Sequence, residues 1–185
     1  MKLTERVHQY LEDHLKPGDL AIDATAGNGH DSLKMAERIA PNGRLIAIDC
    51  QDAAIETSGN RLRAHHLLQL CRFLKEDHAT ALPALIAEHC KQAQAIVFNL
   101  GYLPGSDKSV QTAPASTLSA LNAAAELLQP GGLLLVTAYR GHPGGIEEAD
   151  AVARWMQTFA GNVVCHEPDS SGQRIPPILW VATGA

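Results

Sequence analysis

Three carboxylates and one amide occupy matching places in this chain, each at the end of a short apolar run. Leu20-Ala-Ile-Asp23, Arg44-Leu-Ile-Ala-Ile-Asp49 and Arg72-Phe-Leu-Lys-Glu-Asp77 end in an acid, and Ala95-Ile-Val-Phe-Asn99 ends in an amide. The first run opens into a glycine turn, Ala24-Thr-Ala-Gly-Asn-Gly29, and then into His30-Asp31 at the start of a helical pattern. Carboxylates so placed can accept the hydroxyls of a ribose or the amino group of a base. The glycines let backbone amides approach a ligand closely, and the positive end of the following helix favours an electron-rich group. A strand, a Gly-x-Gly turn and a helix N-terminus together make a nucleotide cradle.

A dinucleotide site would carry Gly-x-Gly-x-x-Gly here, but only Gly27 and Gly29 are present, and Ser32 stands where the third glycine belongs. Asp49 lies 20 residues beyond Gly29, the place for an acid that accepts both ribose hydroxyls, which serves NAD and S-adenosylmethionine alike. Asp23 discriminates between them, because a fixed carboxylate in the turn repels a pyrophosphate and suits a ligand bearing an amino group and a sulfonium. Asp77, with His78 beside it, suits the amino group of adenine. Three acids around one crevice favour S-adenosylmethionine. Taken singly, each acid serves equally well as the N-cap of the next helix, and Asp31 as a first-turn acid favoured by the helix dipole.

The segment Asn99-Leu-Gly-Tyr102 suits an amine acceptor. An amine attacks a methyl carbon only as the free base, with its lone pair aimed along the carbon–sulfur axis. The Asn99 side-chain oxygen and the Leu100 carbonyl would accept its hydrogens, and Tyr102 would stack on a flat base. Catalysis would then be positioning plus stabilisation of a developing cation. Read as structure alone, Asn99 caps a turn and Tyr102 is a half-buried aromatic. Two loops add Lys108 and Thr112, then Tyr139, Arg140 and His142. Lys108 and Arg140 suit phosphates or are merely solvated, and His142 can relay a proton near neutral pH or lie idle on the surface. Gly141, Gly144 and Gly145 permit close approach or simply turn the chain.

Alternating strands and helices must hold these groups. Leu3, Val7, Tyr10, Leu11 and Leu15 fall at helical spacing, predicting an amphipathic helix over residues 3–15 that Pro17-Gly18 ends. Further helices are predicted over 31–39, 52–69, from Pro83 in a first turn to Cys90, over 116–128 and over 146–159. Strands are predicted over 20–22, 44–49, 72–77, 95–99, 133–138, 163–167 and 178–182, the last two paired as an antiparallel hairpin. The result is an α/β doubly wound sheet, one domain over residues 1–185, with its crevice at the carboxyl ends of the strands.

Hydrophobic residues make up 45% of the chain, yet no apolar run approaches the roughly 20 residues that span a bilayer. The N-terminus lacks the apolar core of a secretory signal, so a soluble, cytoplasmic protein is expected. Four cysteines without a Cys-x-x-Cys pair read as small buried thiols, with no metal on them. A net charge of −5 gives no global basic footprint, so nucleic-acid contact would come from a local patch.

The assembled motifs resemble the MnmM (YtqB-like) family, formerly called rRNA-methylase-like. The likeness rests on Asp23-Ala-Thr-Ala-Gly-Asn-Gly-His-Asp31, Ile48-Asp-Cys-Gln51, Asn99-Leu-Gly-Tyr-Leu-Pro104 with Asp107-Lys108, and Tyr139-Arg-Gly-His-Pro-Gly-Gly145 followed by Glu147-Glu148. It covers nearly the whole chain, and departs from the family at Cys50, where isoleucine is expected. The resemblance implies a Rossmann-like doubly wound sheet of class I methyltransferase type, mostly parallel with an antiparallel C-terminal strand, and S-adenosylmethionine as cofactor. It implies methylation of the aminomethyl nitrogen of 5-aminomethyl-2-thiouridine at the tRNA wobble position, giving 5-methylaminomethyl-2-thiouridine. The implied partners are a tRNA anticodon loop and a second copy of the chain, with no DNA and no membrane. On this reading Asp23, Thr25, Gly27, Asn28, Gly29, His30, Asp31, Asp49, Gln51, Asp77, His78 and Asn99 hold the cofactor. Asn99, Leu100, Gly101, Tyr102 and His142 serve catalysis, and Tyr102, Lys108, Thr112, Tyr139, Arg140, His142, Gly144 and Gly145 line the substrate side. The rivals are methyl transfer to ribosomal RNA or a small amine, and a non-catalytic nucleotide-binding module.

Overall fold

Seven strands form the single sheet of the computed structural model, which describes residues 2–88, 92–101, 113–167 and 175–185. They are β1 (Leu20–Asp23), β2 (Arg44–Ile48), β3 (Cys71–Leu74), β4 (Ala93–Leu100), β5 (Leu128–Ala138), β6 (Gly161–His166) and β7 (Ile178–Gly184), in the order β3-β2-β1-β4-β5-β7-β6. The first five pair in parallel, and β7 runs antiparallel to both β5 and β6. The strand order reverses between β1 and β4, which puts a crevice beyond their carboxyl ends.

Two helical layers cover this sheet. Val7 and Leu11 of α1 (Leu3–His14), Met35 and Ile39 of α2 (His30–Ile39) and Leu62 of α3 (Asp52–Ala64) pack with Ala21, Ala95 and Val97 of the sheet. Leu82 and Leu85 of α4 (His78–Ala87), Leu121 of α5 (Pro114–Leu127) and Val152 of α6 (Gly145–Met156) pack with Ile22, Ile96 and Phe98 on the opposite face. Successive side chains of a strand alternate between faces. Asp23 and Asn99 therefore follow Ala21 and Val97 onto the face of α1 and α2, whereas Leu100 joins the α4–α6 side.

Every expected strand and helix forms, but several limits differ. Helix α3 stops at Ala64 instead of residue 69, because His66 takes a left-handed φ of 58°. The Leu67 N–H then bonds the Leu62 carbonyl at 2.9 Å and the His66 N–H bonds that of Arg63 at 3.1 Å, closing a Schellman motif without glycine. His66→Gly removes the steric penalty of that conformation against a smaller loss in unfolded-chain entropy. Chemical denaturation should show the variant more stable by about 0.5–1 kcal/mol.

Strand β3 ends at Leu74, so Asp77 is not a strand end but the N-cap of α4, accepting the Ala79 N–H at 2.7 Å. That earlier start places Pro83 inside α4 rather than in its first turn, where the missing N–H falls within the ladder. Helix α5 instead begins two residues early, on Pro114, whose ring suits a first helical position. The cysteines are not the buried thiols expected: Cys50 and Cys165 are exposed and Cys71 is half-buried, while Cys90 lies outside the described residues. Among the described residues no helix is long and apolar enough to cross a membrane.

Candidate active site

The glycine turn is stitched to both neighbouring strands. The Ala24 N–H donates to the Val97 carbonyl of β4 at 2.9 Å, and the Ala26 N–H to the Ile48 carbonyl of β2 at 2.8 Å. Helix α3 holds the turn from the side: Ser58 Oγ donates to the Gly27 carbonyl at 3.1 Å and Arg61 Nε to that of Asn28 at 2.7 Å, with His30 near the same guanidinium. Gly29 has φ 76°, and a Cβ there would lie 2.7 Å from the Ser58 Cα. Both conditions exclude a side chain. Gly29→Ala is expected to destabilise the protein by about 2–3 kcal/mol in urea unfolding, and an unchanged midpoint would show that α3 yields instead.

Two carboxylates flank this turn. Asp49 is fixed by two backbone donors, Gly27 N–H to Oδ2 and Gln51 N–H to Oδ1, both at 3.0 Å, and keeps partial exposure to the crevice. Asp23 lies beneath the turn, 0% exposed, accepting Ser32 Oγ–H at 2.5 Å and the Thr25 N–H at 3.2 Å. Burial, reinforced by the charge of Asp31 and opposed by those two bonds, pushes Asp23 up to about 7, with Asp49 adding a smaller push. Asp77 is exposed above α4, and His78 is buried edge-on against Phe98 at 5.7 Å. Burial holds His78 below its ordinary range, against the pull of Asp77, Glu148, Asp49 and the Ala24 carbonyl.

Asp31, expected from the sequence either to start α2 or to hold the cofactor, joins three elements. Its Oδ1 meets His8 Nε2 of α1 at 2.8 Å, and its Oδ2 accepts Asn99 Nδ2 at 2.8 Å. The Asn99 backbone N–H in turn donates to Thr25 Oγ1 at 2.7 Å. The Leu100 carbonyl accepts the Tyr139 N–H at 3.0 Å, which continues the sheet into the second loop.

That loop comes back over the end of β4. A Cβ on Gly101 would lie 3.4 Å from the Tyr139 Cβ and 3.5 Å from His142 Nε2, and one on Gly145 only 2.8 Å from that nitrogen. Gly144, at φ 79°, is the N-cap of α6. Tyr139 is exposed on the rim, and burial of its hydroxyl end with the charge of Asp31 raises the phenol above its usual value. Arg140 is held by the terminal hairpin, donating to the Pro176 carbonyl at 2.9 Å and to Glu167 at 2.8 Å. Tyr102, Lys108 and Thr112 lie outside the described residues.

The sequence reading missed His8, Arg61 and the buried pair of Thr117 Oγ1 and Glu148 Oε1, 2.6 Å apart. His8 left a signal as a polar residue three and seven positions before Leu11 and Leu15 on the edge of the apolar stripe, and Glu148 stood within the motif after Gly145 without a role assigned to it.

Asp31, Asp49 and the exposed Asp77 set carboxylates around this turn, an arrangement that disfavours a pyrophosphate and suits a ligand carrying an ammonium and a sulfonium. Asp49 offers oriented oxygens for a diol, Asp77 an exposed carboxylate, and the turn its backbone. These residues fit S-adenosylmethionine.

The chain is similar to known proteins over most of its length. The family described as "Putative rRNA methylase" matches residues 45–181. The Arabidopsis thaliana "tRNA (mnm(5)s(2)U34)-methyltransferase, chloroplastic" is 37% identical over 82% of this chain, which spans 57% of that relative. A Clostridium thermocellum structure named "putative rRNA-methylase" superposes with TM-score 0.90 at 29% identity, covering 99% of this chain and 98% of that one. A Streptococcus mutans protein solved in complex with SAH superposes with TM-score 0.86 at 28% identity, covering 100% and 99%. S-adenosylmethionine is the cofactor, and the sheet order with its antiparallel β7 is the class I methyltransferase arrangement. The chain belongs to the rRNA-methylase family of class I S-adenosylmethionine-dependent methyltransferases.

Proposed function

We propose that the protein methylates the exocyclic amino nitrogen of 5-aminomethyl-2-thiouridine at the wobble position of tRNA. The observation that carries this reading is the Asn99 amide: with Nδ2 donated to Asp31 at 2.8 Å, its remaining polar atom is an acceptor oxygen at the carboxyl end of β4. An acceptor there selects a substrate that brings N–H groups, as a primary amine does. The likeness to a relative named for wobble-uridine methylation supports the same substrate.

Asp49, Asp77, the His78 segment and the glycine turn hold the cofactor, which when bound supplies an electrophilic methyl group on a cationic sulfur. Asn99 Oδ1 accepts an N–H of the neutral amine and aims its lone pair. The nitrogen–carbon bond forms as the sulfur–carbon bond breaks, so positive charge passes to nitrogen, and the crevice carboxylates stabilise it there. An alkyl amine has a pKa near about 10, so the neutral form that attacks is the minor one near neutral pH, and the nitrogen must lose a proton before transfer. Contact with the anticodon loop comes from a local patch, since the net charge is −5.

Mass spectrometry of nucleosides from tRNA carrying 5-aminomethyl-2-thiouridine tests the reading. Incubation with protein and cofactor should add one methyl to that nucleoside. Transfer to ribosomal RNA fragments alone, the rival that the family's description raises, or no transfer to either RNA, would overturn it.

A further inference from the structure

We propose that His8 is a positioning residue for methyl transfer, acting through Asp31 to hold the Asn99 amide with its oxygen toward the acceptor amine. The inference rests on the reading of Asn99 just given. A carboxylate only accepts hydrogen bonds, so each group meeting Asp31 must donate. His8 therefore carries a hydrogen on Nε2, 2.8 Å from Oδ1, and Asn99 presents Nδ2, 2.8 Å from Oδ2.

What this chain of bonds fixes is a choice. An amide side chain turned by half a revolution exchanges donor for acceptor with little change of shape. The Asn99 backbone is held by Thr25, so that flip is the freedom that remains. In one orientation an amine meets an oxygen that accepts its hydrogens, and in the other an NH2 group that repels them. The Asp31 carboxylate sets the choice only while its own plane is fixed, and His8 is the donor on its other oxygen. Without His8, Asp31 is free to turn either oxygen to Asn99 or to solvent.

His8 is packed only in part. Its side chain is 32% exposed, whereas its neighbours Val7 and Leu11 are 2% and 0% exposed. Helix α1 is further tied to α2 by the Lys34–Glu12 ion pair and by Arg38 donating to the Glu12 carbonyl at 3.0 Å. Substitution of His8 therefore leaves the helix docked.

The test compares His8→Ala, His8→Asn and His8→Gln with the wild type. Glutamine places an N–H at the reach of Nε2, while asparagine, equally polar, falls short. His8→Ala and His8→Asn should lose about 10- to 100-fold in kcat, with KM for RNA and cofactor affinity within twofold, and His8→Gln should recover most of the rate. A second readout needs no activity: the Asn99 side-chain NH2 resonances, assigned by their loss in Asn99→Ala, should shift in His8→Ala and hold in His8→Gln. Equal rates in all four proteins, equal loss in the glutamine and asparagine variants, or an unmoved Asn99 signal overturns the role of His8. Absence of amine methylation by the wild type would instead overturn the function, leaving the resonances to decide the positioning claim.

Discussion

Replacing Asn99 with alanine should lower kcat for methyl transfer by about 10²–10³-fold, the size of effect seen when one oriented polar group is removed from a reacting centre. Cofactor affinity should change by less than about threefold, since an interaction that acts mainly in the transition state alters kcat rather than ground-state binding. The backbone N–H that bonds Thr25 at 2.7 Å survives the change, so the end of β4 keeps its place. Single-turnover assays with calorimetry for the cofactor separate the two quantities. Parallel loss of both would show that Asn99 holds the cofactor instead of orienting the amine. Asn99→Asp sharpens the point, because it would set a second carboxylate against Asp31 Oδ2 where the amide now sits at 2.8 Å. Two carboxylates that close do not both ionise. With a proton between them, the variant regains a donor toward Asp31 and an acceptor toward the amine. Its activity relative to the wild type at the same pH should therefore rise as pH falls from 8 to 6 and fade as the shared proton is lost. A ratio that stays flat across that range would mean the pair shares no proton.

The strands were legible because each is an apolar run bounded by turns, and strand parity alone would have placed Asn99 on the same face as Ala95 and Val97. Helix ends were less so. Nothing in the composition of residues 64–67 announces that His66 would adopt a left-handed turn, and the polar tail of Arg72-Phe-Leu-Lys-Glu-Asp77 does not say where β3 yields to the cap of α4. At the site, the motif residues were found, but their contacts were not. Asp31 meets partners 23 and 68 residues away, and only the packing of α1 against α2 and of α2 beside β4 brings them together. Arg140 shows the opposite case, a loop cation suited to phosphate that the fold ties to Glu167 and the Pro176 carbonyl.

Asp23→Asn should stabilise the protein at pH 8 relative to pH 4 by about 4 kcal/mol more than the wild type. The Asp23 carboxyl is fully buried, and its titration is moved from 3.8 to about 7 by burial first and the Asp31 charge second. Between these values the native state binds a proton that the unfolded chain has released, so stability falls as pH rises through the window and the loss is complete above 7. Asparagine carries no such charge. It can present its oxygen to the Thr25 N–H and its NH2 to Ser32 Oγ, reversing the one hydroxyl that now donates to Asp23 at 2.5 Å. Urea unfolding of both proteins at the two pH values isolates the difference from every other titrating group, and a gap that does not widen would mean that Asp23 stays ionised throughout. The same geometry explains why a serine stands where a dinucleotide turn has its third glycine. Glycine at 32 would leave Asp23 Oδ2 without its buried donor, raising the carboxyl further and weakening the negative field that suits the crevice to a sulfonium. Ser32→Gly should therefore move the pH-dependent loss of stability to higher pH, and calorimetry near neutrality should show weaker cofactor binding in that variant than in the wild type.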